Sequence, residues 1–199
     1  MDTEMRRRLL VVTALASRYC LTVENAAETE RDEFILSMLN VLPRLYIEFN
    51  DIVPAETPMR GEGEDEDDFG FGDDEALDEY STVSLEPDGG FGYYGQYVDE
   101  DYYESVRRHV EMLLGPDDVF LETFEEDMKY SDTPIAASIA ECLADIFRPL
   151  YNFISIVKDT DGAELEGAYR ECRENFVEYW SQTLCNVLRA LNHVYYSNK

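Results

Sequence analysis

TPIAASIAECLADIFRPLYNFISIVK, residues 133–158, is the stretch that decides the fold. Ile135, Ile139, Leu143, Ile146, Leu150, Phe153 and Val157 recur at steps of three and four, the spacing of one helix face. The spacing predicts a helix from Thr133 or Pro134 to about Lys158. Pro134 falls in the first turn, where a missing N–H costs little, while Pro149 lies inside and predicts a kink. A second stripe follows at once: Leu165, Tyr169, Cys172, Phe176, Trp180, Leu184, Val187, Leu191 and Val194. It predicts a helix over about 161–195. Two long neighbouring stripes of this kind must bury against other helices, which is bundle packing.

Working outward, the N-terminal third repeats the pattern. Leu9, Val12, Thr13, Ala16, Tyr19, Cys20 and Val23 share a face, and so do Phe34, Met38, Leu42, Leu45 and Phe49. The second set predicts a helix over about 29–49, with Thr29 as its N-cap, Asp32 and Glu33 in its first turn, and a kink or break at Pro43. A shorter helix is expected over 101–114, stopped by Gly115-Pro116. Val119–Leu121 and Thr82–Leu85 could be extended, but nothing supports a substantial sheet. The expected fold is an all-α bundle of about five helices, one helical domain over 1–199. A long acidic, Gly- and Tyr-containing insertion at 54–100 separates its two halves.

That insertion concentrates the charge. The chain of 199 residues carries a net charge of −28. Residues 1–53 and 133–199 each hold nine acids against six bases, whereas residues 54–132 hold 26 acids against four. From Glu56 to Glu79 there are 12 acids against Arg60 alone, interrupted by four glycines, a composition that repels itself and predicts a mobile loop. Phe91, Tyr93, Tyr94 and Tyr97 then alternate with glycines and could pack or stay exposed. Direct nucleic-acid binding is excluded by the want of clustered Lys and Arg, and so is attachment to an anionic membrane. No apolar run is long enough to span a bilayer. Arg6-Arg7-Arg8 before Leu9–Ala16 resembles a secretion signal, but Asp2 and Glu4 intrude and the apolar stretch is short. A cytoplasmic protein is expected.

Little in the sequence specifies chemistry. Cys20, Cys142, Cys172 and Cys185 have no zinc or redox spacing, and at least Cys142 and Cys172 lie on or beside apolar stripes, where thiols act as small hydrophobes. His109 and His193 fall in different helices. Gly90-Phe-Gly92-Tyr-Tyr-Gly95 spells a dinucleotide fingerprint without the preceding buried strand, and flanking carboxylates would repel a pyrophosphate. Asp65, Asp67 and Gly70 lack the remaining ligands of a calcium loop. The strongest enzymatic pattern is Glu141 and Asp145 on one helix facing Glu171, Glu174 and Glu178 on the next. Five such carboxylates converging on one point could hold Mg²⁺ for an all-α nucleotide pyrophosphohydrolase-like reaction. The alternative is a solvated acidic face paired with Arg148, Arg170 and Arg173.

Ser138-Ile-Ala-Glu-Cys-Leu-Ala-Asp145-Ile-Phe-Arg-Pro-Leu150 resembles the "S-L-A-x-D-L-A-D-I-Y-x-D-L" helix of a bacterial family known as domain of unknown function 5063. Trp180-Ser-Gln-Thr-Leu184-Cys-Asn-Val-Leu188-Arg-Ala-Leu-Asn192 is similar to its "W-G-x-x-L-x-x-A-L-R-A-L-H" pattern, and Leu42-Pro-Arg-Leu-Tyr46 to its "L-P-x-L-Y" element. Cys142, Ser181 and Asn192 depart from the pattern. The resemblance implies a helical bundle and brings no substrate, cofactor or catalytic residue with it. It singles out Asp145, Trp180 and Arg189 as polar residues within apolar helices, expected to form a structural polar core: an Asp145–Arg189 ion pair capped by Trp180.

The function expected from the sequence is that of a non-enzymatic interaction or accessory module whose acidic insertion meets a basic protein partner. No cofactor is expected, Mg²⁺ entering only with the enzyme alternative. A third reading, an acidic nucleic-acid mimic, requires ordered and regularly spaced charge.

Overall fold

The structure, a computed structural model, describes residues 3–53, 96–122 and 135–197. Helix α1 (Thr3–Glu24) passes through a 3₁₀ turn (Asn25–Glu28) into α2 (Arg31–Asp51). Helix α3 (Glu100–Leu114) and a second 3₁₀ turn (Gly115–Asp118) lead to strand β1 (Val119–Leu121). Strand β2 (Ala136–Ser138) runs directly into α4 (Ile139–Asp159). Helix α5 (Leu165–Asn175), a π-helical turn (Phe176–Trp180) and α6 (Ser181–Ser197) follow one another without interruption, so the described elements form five helical rods. The acidic block at 56–79, the Gly90–Gly95 motif and the segment at 82–85 lie outside the described residues.

Helix α4 is the central rod: α1, α3, α5 and α6 all pack on it, and α2 closes the bundle against α1 and α6. The stripes read from sequence are the faces that are buried, except that Ile135 precedes α4 and is exposed and Thr13 and Val157 are half-buried. Leu9, Val12, Ala16, Tyr19, Cys20 and Val23 of α1 are at most 1% exposed, and Phe34, Met38, Leu42, Leu45 and Phe49 of α2 are fully buried. Each such side chain contributes about 1.5–3 kcal/mol by leaving water. All nine residues of the last stripe are buried too, and buried residues of all six helices join one core cluster. Phe49, Tyr169, Phe176 and Trp180 form its aromatic centre, with Phe49 and Phe176 ring centroids 4.9 and 4.6 Å from Trp180. Two buried hydroxyls tie rods together: Tyr19 donates to the Leu143 carbonyl at 2.8 Å, and Tyr169 to that of Ile52 at 2.9 Å.

Boundaries differ from expectation for identifiable reasons. Helix α4 starts at Ile139, because Ala136–Ser138 pairs antiparallel with Val119–Leu121, Val119 opposite Ser138. The first-turn N–H groups are then met from outside the helix. Ser138 Oγ accepts from Glu141 N at 3.1 Å and donates to Asp118 at 2.7 Å, while Asp118 also accepts from Ala140 N at 2.8 Å. Thr29 does not cap α2; its hydroxyl donates back to the Asn25 carbonyl at 2.8 Å, and Glu30 is the residue before the helix. The last rod starts at Leu165 rather than near Asp161, since Asp161 and Gly162 take positive φ angles of 54° and 76°. Gly162 N donates to the Val157 carbonyl at 2.8 Å, the left-handed finish that ends α4. Both α2 and α4 run on through Pro43 and Pro149.

Candidate functional site

A cleft of about 460 Å³ opens where the ribbon, α4, the π-turn and the start of α6 meet. Helix α4 supplies Glu141, Cys142 and Asp145, which share a face because they lie three and four residues apart. The end of β1 places Glu122, the π-turn places Glu178 and Tyr179, and α6 adds Gln182, Thr183 and Asn186. Four carboxylates therefore line one concavity, and among the described residues no Lys or Arg lines it.

The cleft has a dry floor and a wet rim. Glu122 and Asn186 are 7% and 6% exposed, whereas Glu141 and Glu178 stand in solvent. Glu122 is held through its backbone N–H, which donates to the Ile135 carbonyl at 2.9 Å. Asn186 is buried yet its side-chain amide has no hydrogen-bond partner among the described residues, leaving donor and acceptor capacity turned into the cleft. Asp145 lies between floor and rim. The Tyr103 hydroxyl donates to its Oδ1 at 2.7 Å, and the Arg148 guanidinium carbon sits 4.4 Å from the centroid of the same tyrosine ring.

Titration of the cleft groups follows from this crowding. Burial raises Asp145 above the usual carboxylate range; the Tyr103 bond opposes the shift, Glu141 adds to it and Arg148 opposes it. Burial, then the Asp145, Glu122, Glu141 and Asp118 carboxylates, push the Cys142 thiol up to about 12, so it is an inert thiol at neutral pH. Asp145 is the leading cause that raises the Tyr179 hydroxyl, ahead of burial, Cys142 and Glu141. The field of one set of carboxylates thus reaches both tyrosines that flank it.

The residues singled out by sequence divide. Glu141, Asp145 and Glu178 line the cleft, but Glu171 and Glu174 do not, so the five carboxylates do not converge. Among the described residues no group of three or more His, Cys, Asp or Glu is arranged to hold a metal ion. The expected Asp145–Arg189 pair is not formed. Asp145 takes the Tyr103 hydroxyl instead, while Arg189 is exposed, donates to the Leu121 carbonyl at 2.8 Å and lies 6.0 Å from the Phe120 ring centroid. Arg189 fastens β1 to α6, and the neutral acceptor spares a buried charge pair its desolvation cost. Trp180 is fully buried, as expected, but among aromatic rings rather than over an ion pair. Sequence reasoning missed Glu122, Tyr103, Tyr179 and Asn186. The triplet Val119–Leu121, read as extended, was the one signal pointing to Glu122.

Comparison with known proteins agrees with the architecture. The chain is similar to a crystal structure of protein BF1032 from Bacteroides fragilis, with a TM-score of 0.67 and 23% identity over 96% of this chain and 94% of that one. At that identity the likeness speaks for the fold alone. No curated protein matches. Residues 4–197, nearly the whole chain, match the family described as Domain of unknown function (DUF5063), and the protein belongs to that family.

Proposed function

We propose that this protein is a non-enzymatic binding module whose acidic cleft receives a cationic group from a basic protein partner. The observation that carries this reading is the cleft itself: four carboxylates and the Asn186 amide line one opening that, among the described residues, no Lys or Arg lines. A cation entering it replaces mutual carboxylate repulsion with charge-assisted hydrogen bonds, the strong kind. The net charge of −28 steers positive partners toward the molecule and repels like-charged ones. A cytoplasmic setting is part of the proposal; the arginine-led N-terminal stretch packs as bundle helix α1, and no described helix is long and apolar enough to cross a membrane.

Isothermal titration of the full chain with a short basic peptide at low ionic strength tests it. Any basic peptide will feel the acidic insertion, so the deciding comparison is with the Glu141→Gln/Glu178→Gln double variant, altered only at the exposed rim. Binding that is weakened about tenfold or more by those substitutions supports the cleft. Equal binding by both proteins overturns it and leaves the insertion as the contact. Magnesium-dependent release of phosphate or pyrophosphate from a nucleoside triphosphate, abolished by Asp145→Asn, would establish the enzyme alternative instead.

A further inference from the structure

We infer that the cleft selects guanidinium over ammonium, so that the partner presents arginine rather than lysine. The inference rests on the binding reading above and adds the chemical identity of the occupant.

The molecule already holds one guanidinium beside Asp145. Arg148 lies over the Tyr103 ring at 4.4 Å, and that tyrosine donates to Asp145 at 2.7 Å. Planar cation, aromatic face and carboxylate are thus combined on the α3 side of Asp145. The cleft side repeats two of these components and lacks the third. Tyr179 is 60% exposed and lines the cleft together with Asp145 and Glu141, and among the described residues no Lys or Arg lines it. A ligand guanidinium stacked on Tyr179 would complete the same arrangement from outside.

The distribution of acceptors favours a planar fork over a point charge. The exposed carboxylates come from α4 and the π-turn, and among the described residues they are not gathered into a group that could coordinate a single ion. An ammonium has three donors at one nitrogen and is strongly hydrated. A guanidinium spreads five donors over a rigid plane, is weakly hydrated, and stacks on aromatic rings. It can therefore reach separated carboxylates while the Asn186 amide at the floor accepts a further N–H. Asn186 is 6% exposed, lines the cleft and has no hydrogen-bond partner among the described residues, so its amide is open to a polar group at the floor.

The test uses the full chain with two capped tetrapeptides of equal charge, tetra-arginine and tetra-lysine, titrated at low ionic strength. Tetra-arginine should bind about fivefold to tenfold more tightly, the range that a stacked cation on an aromatic ring supplies. Tyr179→Leu, at an exposed position that leaves the core untouched, should bring tetra-arginine close to the tetra-lysine level and weaken tetra-lysine by less. Equal affinities in the unsubstituted protein overturn the selectivity while leaving cation binding in place. A preference that survives Tyr179→Leu overturns the stacking site. Failure of both peptides to bind, or binding that ignores Glu141→Gln/Glu178→Gln, overturns the underlying cleft reading. Free arginine amide binding as tightly as tetra-arginine overturns the protein partner in favour of a small guanidinium compound.

Discussion

Glu171 turns its carboxylate inward from α5, and both oxygens are buried without a hydrogen-bond partner. Burial, and then the neighbouring Glu174, raise its pKa above the usual carboxylate value. A raised folded-state pKa means that the native state binds more protons than the unfolded chain between the ordinary and the raised value. Stability therefore falls as pH rises through that window. Asp145 acts in the same direction through its own burial. Glu171→Gln removes one of the two contributions and keeps the side-chain volume. Its Tm should exceed that of the unsubstituted protein by about 2 °C or more at pH 7 and by less at pH 4, a difference that thermal melts at both pH values would show. A lower Tm at pH 7 would mean that the carboxylate is stabilising where it sits. Sequence alone placed Glu171 on a helix face but could not say which way the carboxylate points. The Asp145–Arg189 expectation failed for a related reason. Both residues lie on apolar helices, yet the Leu121 carbonyl competes for Arg189 and becomes visible only once β1 docks beside α6.

At the level of elements, the π-turn was present in the sequence as an irregular spacing. The stripe Cys172, Phe176, Trp180, Leu184 advances by four residues three times in succession, whereas an α-helix needs alternating steps of three and four to hold one face. Twelve residues in an α-helix would rotate the stripe well off the core. One wider turn at Phe176–Trp180 absorbs the extra residue and keeps all four side chains buried. The turn also swings Glu178 and Tyr179 toward α4, where they become one wall of the cleft. Deleting Val177, which is 57% exposed, should thus convert the turn to α-helix with the stripe restored to ordinary spacing. The deletion variant is expected to fold with a Tm within a few degrees of the parent and to lose the binding of basic peptides. Deleting Gln182, an exposed residue of α6, is the control: it shifts every later core position, from Leu184 to Val194, and should cost most of the native helical signal by circular dichroism. If both deletions melt alike, the π-turn is not an inserted residue in an otherwise regular rod. The helix stripes were legible because burial on one side imposes a period. The ribbon and the cleft were not, since two strands of three residues carry no period, and Asn186 became part of a floor only through the packing of α6 beside the ribbon.

For the whole molecule, the balance between surplus charge and local pairing decides how it responds to salt. The chain has 44 acids and 16 bases, so even complete pairing leaves 28 carboxylates repelling one another. The ion pairs among the described residues, such as Arg107 with Glu104 at 3.0 Å and Arg148 with Glu100 at 3.3 Å, are half-buried or exposed surface pairs and contribute at most about 1 kcal/mol each. Added salt weakens both effects. Repulsion, however, sums over many long distances, and those longer than about 10 Å are the first to be screened at 0.1 M. Screening should thus relieve more repulsion than it removes attraction, and Tm should rise by a few degrees as sodium chloride is raised from about 0.01 M to about 0.15 M. Peptide binding in the cleft should weaken over the same range, because there the charges attract. Opposite salt slopes for stability and for binding, measured on one preparation, would separate the surplus charge of the chain from the local work of the cleft. A Tm that falls with salt would show instead that the surface pairs outweigh the surplus. An unchanged Tm would show that the repulsion of the 28 surplus carboxylates and the attraction of the surface pairs are balanced.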